Sequence, residues 1–174
     1  KGKTEMIVAP TWDLLIGLLF ILAIAYGFML QREKVVVTMI SIYVGLVMVS
    51  VLTGTLQEFF AGDRALFNKI FIRGTTSPFA IQTGVFLGTI VALTARSGLS
   101  GGSGRGLLSP IELFGYSFFN AALIIVSVIS FLPQETRSVI LDSSQLATLL
   151  VSFRGWLLVL PVLLLIILGF RQKP

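Results

Sequence analysis

Five apolar stretches, separated by short polar turns, fill most of this chain and restrict it to one kind of fold. They cover about 12-30, 35-52, 78-95, 110-132 and 146-170. A helix needs about 20 predominantly apolar residues to cross a hydrocarbon core roughly 30 Å thick, and each stretch meets or approaches that length. Hydrophobic residues make up 55% of the chain and charged residues 12%, with a mean hydropathy of +0.96. A soluble domain this apolar would lack the polar surface to stay in solution. The expectation is an all-α, multi-pass membrane bundle of four to five transmembrane helices, forming one domain over residues 1-174.

Composition also limits the chemistry. The chain has no His and no Cys, which excludes thiol nucleophiles, Cys/His metal sites, disulfides and histidine proton shuttles. Eight acidic residues remain, without a cluster: Glu5, Asp13, Glu33, Glu58, Asp63, Glu112, Glu135 and Asp142. No catalytic, cofactor or metal site is expected, and no enzyme activity. The Gly-rich run from Ser100 to Gly106 lacks the strand and the terminal Lys-Ser/Thr of a phosphate loop, so residues 97-106 are expected to be a Gly/Ser linker. The net charge of +5 comes from Lys and Arg scattered singly over turns and ends, which points away from nucleic acid and toward lipid headgroups.

Helix punctuation is legible along the chain. Thr11 is placed to cap the first span, with Asp13 in its first turn beside the positive end of the helix dipole. Gln31-Arg32-Glu33-Lys34 makes a tight turn between the first two spans, and Gly54 is expected to end the second. Ser77-Pro78 opens the third. Ser109-Pro110-Ile111-Glu112 is a capping box opening the fourth, which Pro133 closes. Asp142-Ser143-Ser144-Gln145 forms another box at the head of the last segment. That segment carries Arg154 and Pro161, so it is either one long tilted span or an interfacial helix through Phe153 followed by a shorter span. The second reading is preferred. Basic residues divide almost evenly between the two sides. The short Arg32/Lys34 turn favours the cytoplasm for that side, with the N-terminus outside.

Between the second and third spans the pattern becomes amphipathic. Thr55-Leu56-Gln57-Glu58 offers a capping box, and Phe59, Phe60, Phe67 and Phe71 recur at helical spacing among charged residues. Residues 55-73 are therefore expected to form an amphipathic interfacial helix pair, with the Phe rings at the acyl boundary.

Within the spans, small residues four apart let helices approach closely: Ala23 and Gly27, Ser41 and Gly45, Gly84 and Gly88. Asn120 can hydrogen-bond a neighbouring helix, as can Gln82 and Thr83. Glu112 and Asp13 fit helix-capping roles. Arg154 is either an interfacial charge that snorkels or a buried pair inside the bundle.

With these features laid out, the chain resembles the colicin V production protein family of small bacterial inner-membrane proteins. The resemblance rests on Trp12-Asp13-Leu14-Leu15, Tyr26-Gly27-Phe28, the turn Gln31-Arg32-Glu33-Lys34, Tyr43-Val44-Gly45-Leu46, the glycine-spaced third span and the stretch Gly115 to Asn120. It covers about residues 12 to 132 through loose motifs, and the long hydrophobic C-terminal segment departs from it. It implies a multi-pass inner-membrane protein needed for toxin production or envelope homeostasis, with no catalytic residues to carry over. The expected function is a non-enzymatic scaffold or accessory component. Its partners would be the lipid bilayer and either further copies of itself or other membrane proteins. The alternative is an oligomeric channel or small-solute transporter with Asn120, Gln82 and Arg154 lining its passage.

Overall fold

The computed structural model describes residues 12–29, 32–60, 77–97 and 110–171. These contain seven helices: α1 (Trp12–Met29), α2 (Arg32–Phe60), α3 (Pro78–Arg96), α4 (Pro110–Phe131), α5 (Gln134–Ser143), α6 (Gln145–Ser152) and α7 (Arg154–Arg171). The first four are long and apolar enough to cross a membrane, and α6 with α7 makes a fifth candidate bent by 60°. The all-helical, multi-span expectation holds, with four spans or five according to whether the bent pair is counted as one.

The bundle is organised around α4, which packs against α1, α2, α3, α6 and α7. Its span is 56% buried, against 11% for α1. Four α4 residues explain why it can sit centrally: Ser117, Ala121, Ala122 and Ser127 are all buried and small. Without a hydrophobic force between helices in lipid, association depends on such close contact. Around them Ile42, Phe86, Leu123 and Leu157 form the main core, while Val35, Met39, Leu113 and Tyr116 pack as a second cluster near the start of α2 and α4. Most other large apolar side chains face outward, including Leu18, Ile21, Val47, Val91 and Ile167. In water that surface would be untenable; in a bilayer it is the solvent-facing surface.

Close approach is most acute where α1 crosses α4. A Cβ added to Gly27 would fall 2.7 Å from Ser117 Cβ and closer still to Ser117 Oγ. About two turns earlier on α1 the contact is aromatic, with Phe20 edge-on to Phe118 at 5.1 Å between centroids. Gly45 plays a comparable part between α2 and α3, where its added Cβ would lie 3.0 Å from Phe86 Cδ2 and 3.3 Å from the Phe86 carbonyl oxygen. Phe86 reaches on to Phe131 of α4, edge-on at 5.5 Å.

Several element boundaries differ from the sequence expectation. α2 does not stop at Gly54 but continues to Phe60. One glycine costs about 1 kcal/mol relative to Ala in a helix interior, too little to end a helix flanked by good formers. Residues 55–60, including Phe59 and Phe60, are therefore the end of α2 rather than the start of a separate interfacial helix. The rest of the expected pair, with Phe67 and Phe71, lies outside the described residues, as do the Gly/Ser linker from residue 98, Thr11 and Ser109. Ser77 does precede α3, yet its hydroxyl makes no capping bond. Its carbonyl instead accepts from the Ala80 and Ile81 N–H groups. α5 was not anticipated. Its start follows from Pro133 as N-cap and Glu135 in the first turn, favourable at the positive end of a helix.

Replacing Gly27 by Ala is expected to destabilise the bundle by about 1–3 kcal/mol, the usual cost of overpacking. Thermal unfolding in detergent measures it, and adding Ser117→Gly should restore most of the loss.

Candidate functional site

The most distinctive polar arrangement lies where α5, α6 and the start of α1 meet. Ser144 separates α5 from α6 because its backbone is extended (φ −133°, ψ 117°) while its neighbours are helical. Its hydroxyl serves two bonds at once. It accepts from the Ala147 N–H at 3.0 Å, capping α6, and donates to Asp13 Oδ1 at 2.6 Å. The same carboxylate oxygen accepts from the Leu146 N–H at 3.0 Å. Asp13 thus satisfies the first turn of α6, a helix more than a hundred residues away, where a negative charge meets the positive helix end. Thr148 closes the junction from the other side, donating to Leu141 O at 2.7 Å and Ser144 O at 3.0 Å.

Two sequence readings change here. Asp13 was expected to serve its own helix and instead serves α6. The box placed at Asp142 shifts to Ser144, because residues 142 and 143 are still helical within α5. Beside the junction is a cavity of about 490 Å³ lined by Asp13, Asp142, Ser144, Gln145, Thr148 and Phe153, among others.

α6 ends at Phe153, and α7 leaves at 60°. The break expected at Phe153 is present, and one long tilted span is possible only as a span bent there by 60°. α7 carries Pro161, which cannot donate to the Leu157 carbonyl. Next to that weak point Tyr43 of α2 donates its hydroxyl to Leu158 O at 2.8 Å. Arg154, first residue of α7, is exposed rather than buried inside the bundle.

The remaining candidate residues fall into two groups. Gly27, Ser41, Gly45 and Asn120 are buried between helices, and Ala23 is partly buried. Ser41 donates back to Val37 O at 2.8 Å within α2. Asn120 Nδ2 donates to Val35 O at 2.9 Å, tying α4 to α2; its Oδ1 and the Ser117 hydroxyl are buried with no hydrogen-bond partner among the described residues. Gly84 and Gly88, by contrast, face outward on α3, and nothing among the described residues lies within 4 Å of where their Cβ atoms would be. Gln82 is partly buried on α3. Asn120, Gln82 and Arg154 are thus spread over the α2–α4 interior, α3 and the exposed start of α7. Sequence reasoning missed the Tyr43–Leu158 and Asp13–Ser144 bonds, since neither spacing nor residue type announces a partner so distant in the chain.

No group of three or more metal-ligating side chains occurs among the described residues. No family model, curated protein or solved structure matches the chain.

Asp13→Ala should free the first turn of α6 while leaving the α1–α4 contact in place. Amide hydrogen exchange at Leu146 and Ala147 is expected to quicken several-fold, with exchange across Ala121–Leu123 unchanged.

Proposed function

We propose that this protein is a non-enzymatic membrane scaffold or accessory component that works by assembling with further copies of itself or with other membrane proteins. The observation that carries the reading is the outward face of α3. Gly84 and Gly88 are exposed, with nothing among the described residues within 4 Å of where their Cβ atoms would be, and Ala80 and Ala92 extend the same four-residue spacing along that face. Inside the bundle the equivalent feature, Gly27, is consumed by a close helix crossing. A glycine pair left open on a lipid-facing helix offers the same contact to a second molecule. Its setting would be the bacterial inner membrane, in envelope homeostasis or toxin production. That part of the proposal rests only on the resemblance of its loose motifs to the colicin V production family.

A transporter is the second reading, favoured by one observation: the α6–α7 break, since discontinuous helices are frequent at transport sites. It requires solute flux in reconstituted liposomes that Arg154→Leu abolishes.

Gentle-detergent purification followed by particle sizing tests the scaffold. A defined assembly is expected, and Gly84→Leu with Gly88→Leu should shift it toward protomers without lowering thermal stability, because a Cβ at either position meets open space among the described residues. A lone protomer with no co-purifying protein would defeat the proposal.

A further inference from the structure

Helix α4 meets its neighbours in two unlike ways. Toward α7 it borders an apolar groove, lined by Ile111, Phe119 and Leu163 among others. Toward the α1–α2 hairpin it presents two polar side chains, Ser117 and Asn120, which are only 1% and 8% exposed. Neither the Ser117 hydroxyl nor Asn120 Oδ1 has a hydrogen-bond partner among the described residues. Other serines of the bundle behave differently. Ser41, Ser127 and Ser130 each donate back to the carbonyl four residues earlier, so their hydroxyls are satisfied within their own helices. Ser117 points at α1 instead: its Oγ is the nearest atom to a Cβ added at Gly27.

Position brings the two groups together. Residues three apart on one helix stand about 5–6 Å apart at Cβ, and Ser117 and Asn120 have that spacing. Ser117 meets Gly27 in the last turn of α1, while Asn120 bonds Val35 in the first turn of α2. Those two helix ends are separated in the chain only by residues 30 and 31. The closing C=O groups of α1 and the opening N–H groups of α2 lack partners inside their own helices. Backbone donors and acceptors are therefore added to the two side chains.

Chemistry selects the occupant. The bond from Nδ2 to Val35 O fixes which end of the Asn120 amide is left over, and Oδ1 can only accept. An anion would be repelled by Oδ1, and a cation would face the positive end of α2. A neutral molecule that both donates and accepts suits every group. It must also be small, because Gly27 and Ser117 already touch. Water meets these conditions: with bonds of about 2.7–2.8 Å, one molecule bridges oxygens up to about 5 Å apart. The drive is strong inside a bilayer, where an unpaired buried acceptor finds no solvent to relieve it.

We infer that one buried water is bound between Ser117 and Asn120 at the α1–α2 hairpin, donating to Asn120 Oδ1 and bonded to the Ser117 hydroxyl. Asn120 is then part of a closed contact that holds the hairpin to α4. The inference rests neither on self-association nor on the α3 face.

The test uses the full chain, isotope-labelled and reconstituted into phospholipid bilayers, with solid-state NMR transfer of magnetisation from water to protein. Transfer to the Asn120 side-chain amide is expected at mixing times that leave Leu123 without signal. Ser117→Ala removes one of the water's two side-chain partners and should lower that transfer several-fold. Ser127→Ala, whose hydroxyl is already bonded within α4, should leave it unchanged. Should Ser117→Ala misfold, the unaltered chain still decides, because absence of transfer to Asn120 overturns the proposal. Equal transfer in Ser117→Ala does so too, as does a contact from Asn120 to the Gln31 or Arg32 side chain in place of water. Transfer of equal strength along α4 through Leu123 and Ser127 would also overturn it, since that is the mark of a water-filled passage.

Discussion

Close approach of α4 to its neighbours is the condition on which the rest of the bundle depends. Lipid tails are as apolar as leucine, so burying a side chain between helices gains little by transfer alone. Contact distance then decides, and contact distance is set by the smallest residues at each crossing. Gly27 against Ser117 sets it for α1, and Gly45 against Phe86 sets it for α2 and α3. Ala121 and Ala122 extend the small surface along α4. Larger groups fill the remaining space from a distance, as the edge-on Phe20–Phe118 and Phe86–Phe131 pairs do.

The C-terminal third solves a different problem. A helix that breaks leaves backbone N–H and C=O groups at its ends that need partners. The partners come from elements already in place. Asp13 and Ser144 satisfy the first turn of α6, Thr148 ties that turn to the end of α5, and Tyr43 reaches the α7 carbonyl next to the Pro161 distortion. Each donor or acceptor comes from a different segment, so the bend is held by the bundle as a whole. In the scaffold reading they hold α6 in one position.

What the sequence makes legible follows from the range of the forces involved. Spans are visible because hydropathy accumulates over about 20 residues, and the starts of α3 and α4 are visible because Pro78 and Pro110 act within one turn. The break at Phe153 could be anticipated from Arg154 and Pro161, two residues that sit badly in one continuous apolar helix. Asp13 was misassigned because its local environment, the first turn of α1, suits a carboxylate as well as its real partner does. Gly54 misled for the opposite reason, since its small local cost was outweighed by the helix formers around it. α5 escaped notice because ten residues carry too little periodicity to stand out, although Pro133 and Glu135 marked its start. The groove between α4 and α7 has no sequence signature, because it exists only where two helices distant in the chain fail to close on each other.

The two ends of the bundle are therefore chemically unequal. α1 runs antiparallel to α4, as the pairing of Phe28 with Phe114 and of Asp13 with Ser144 requires. One end thus gathers the start of α1, the end of α4, α5 and the head of α6. It carries Asp13, Glu135, Arg137 and Asp142, and Asp13 is bonded there to Ser144 and the Leu146 N–H. The opposite end gathers the starts of α2 and α4 and the end of α7, where Glu112 stands over an apolar groove. Hydrogen bonds hold the first end in a fixed arrangement. At the second, α7 and α4 meet through apolar side chains across a gap, so what fills that gap sets how tightly the last helix is held to the bundle.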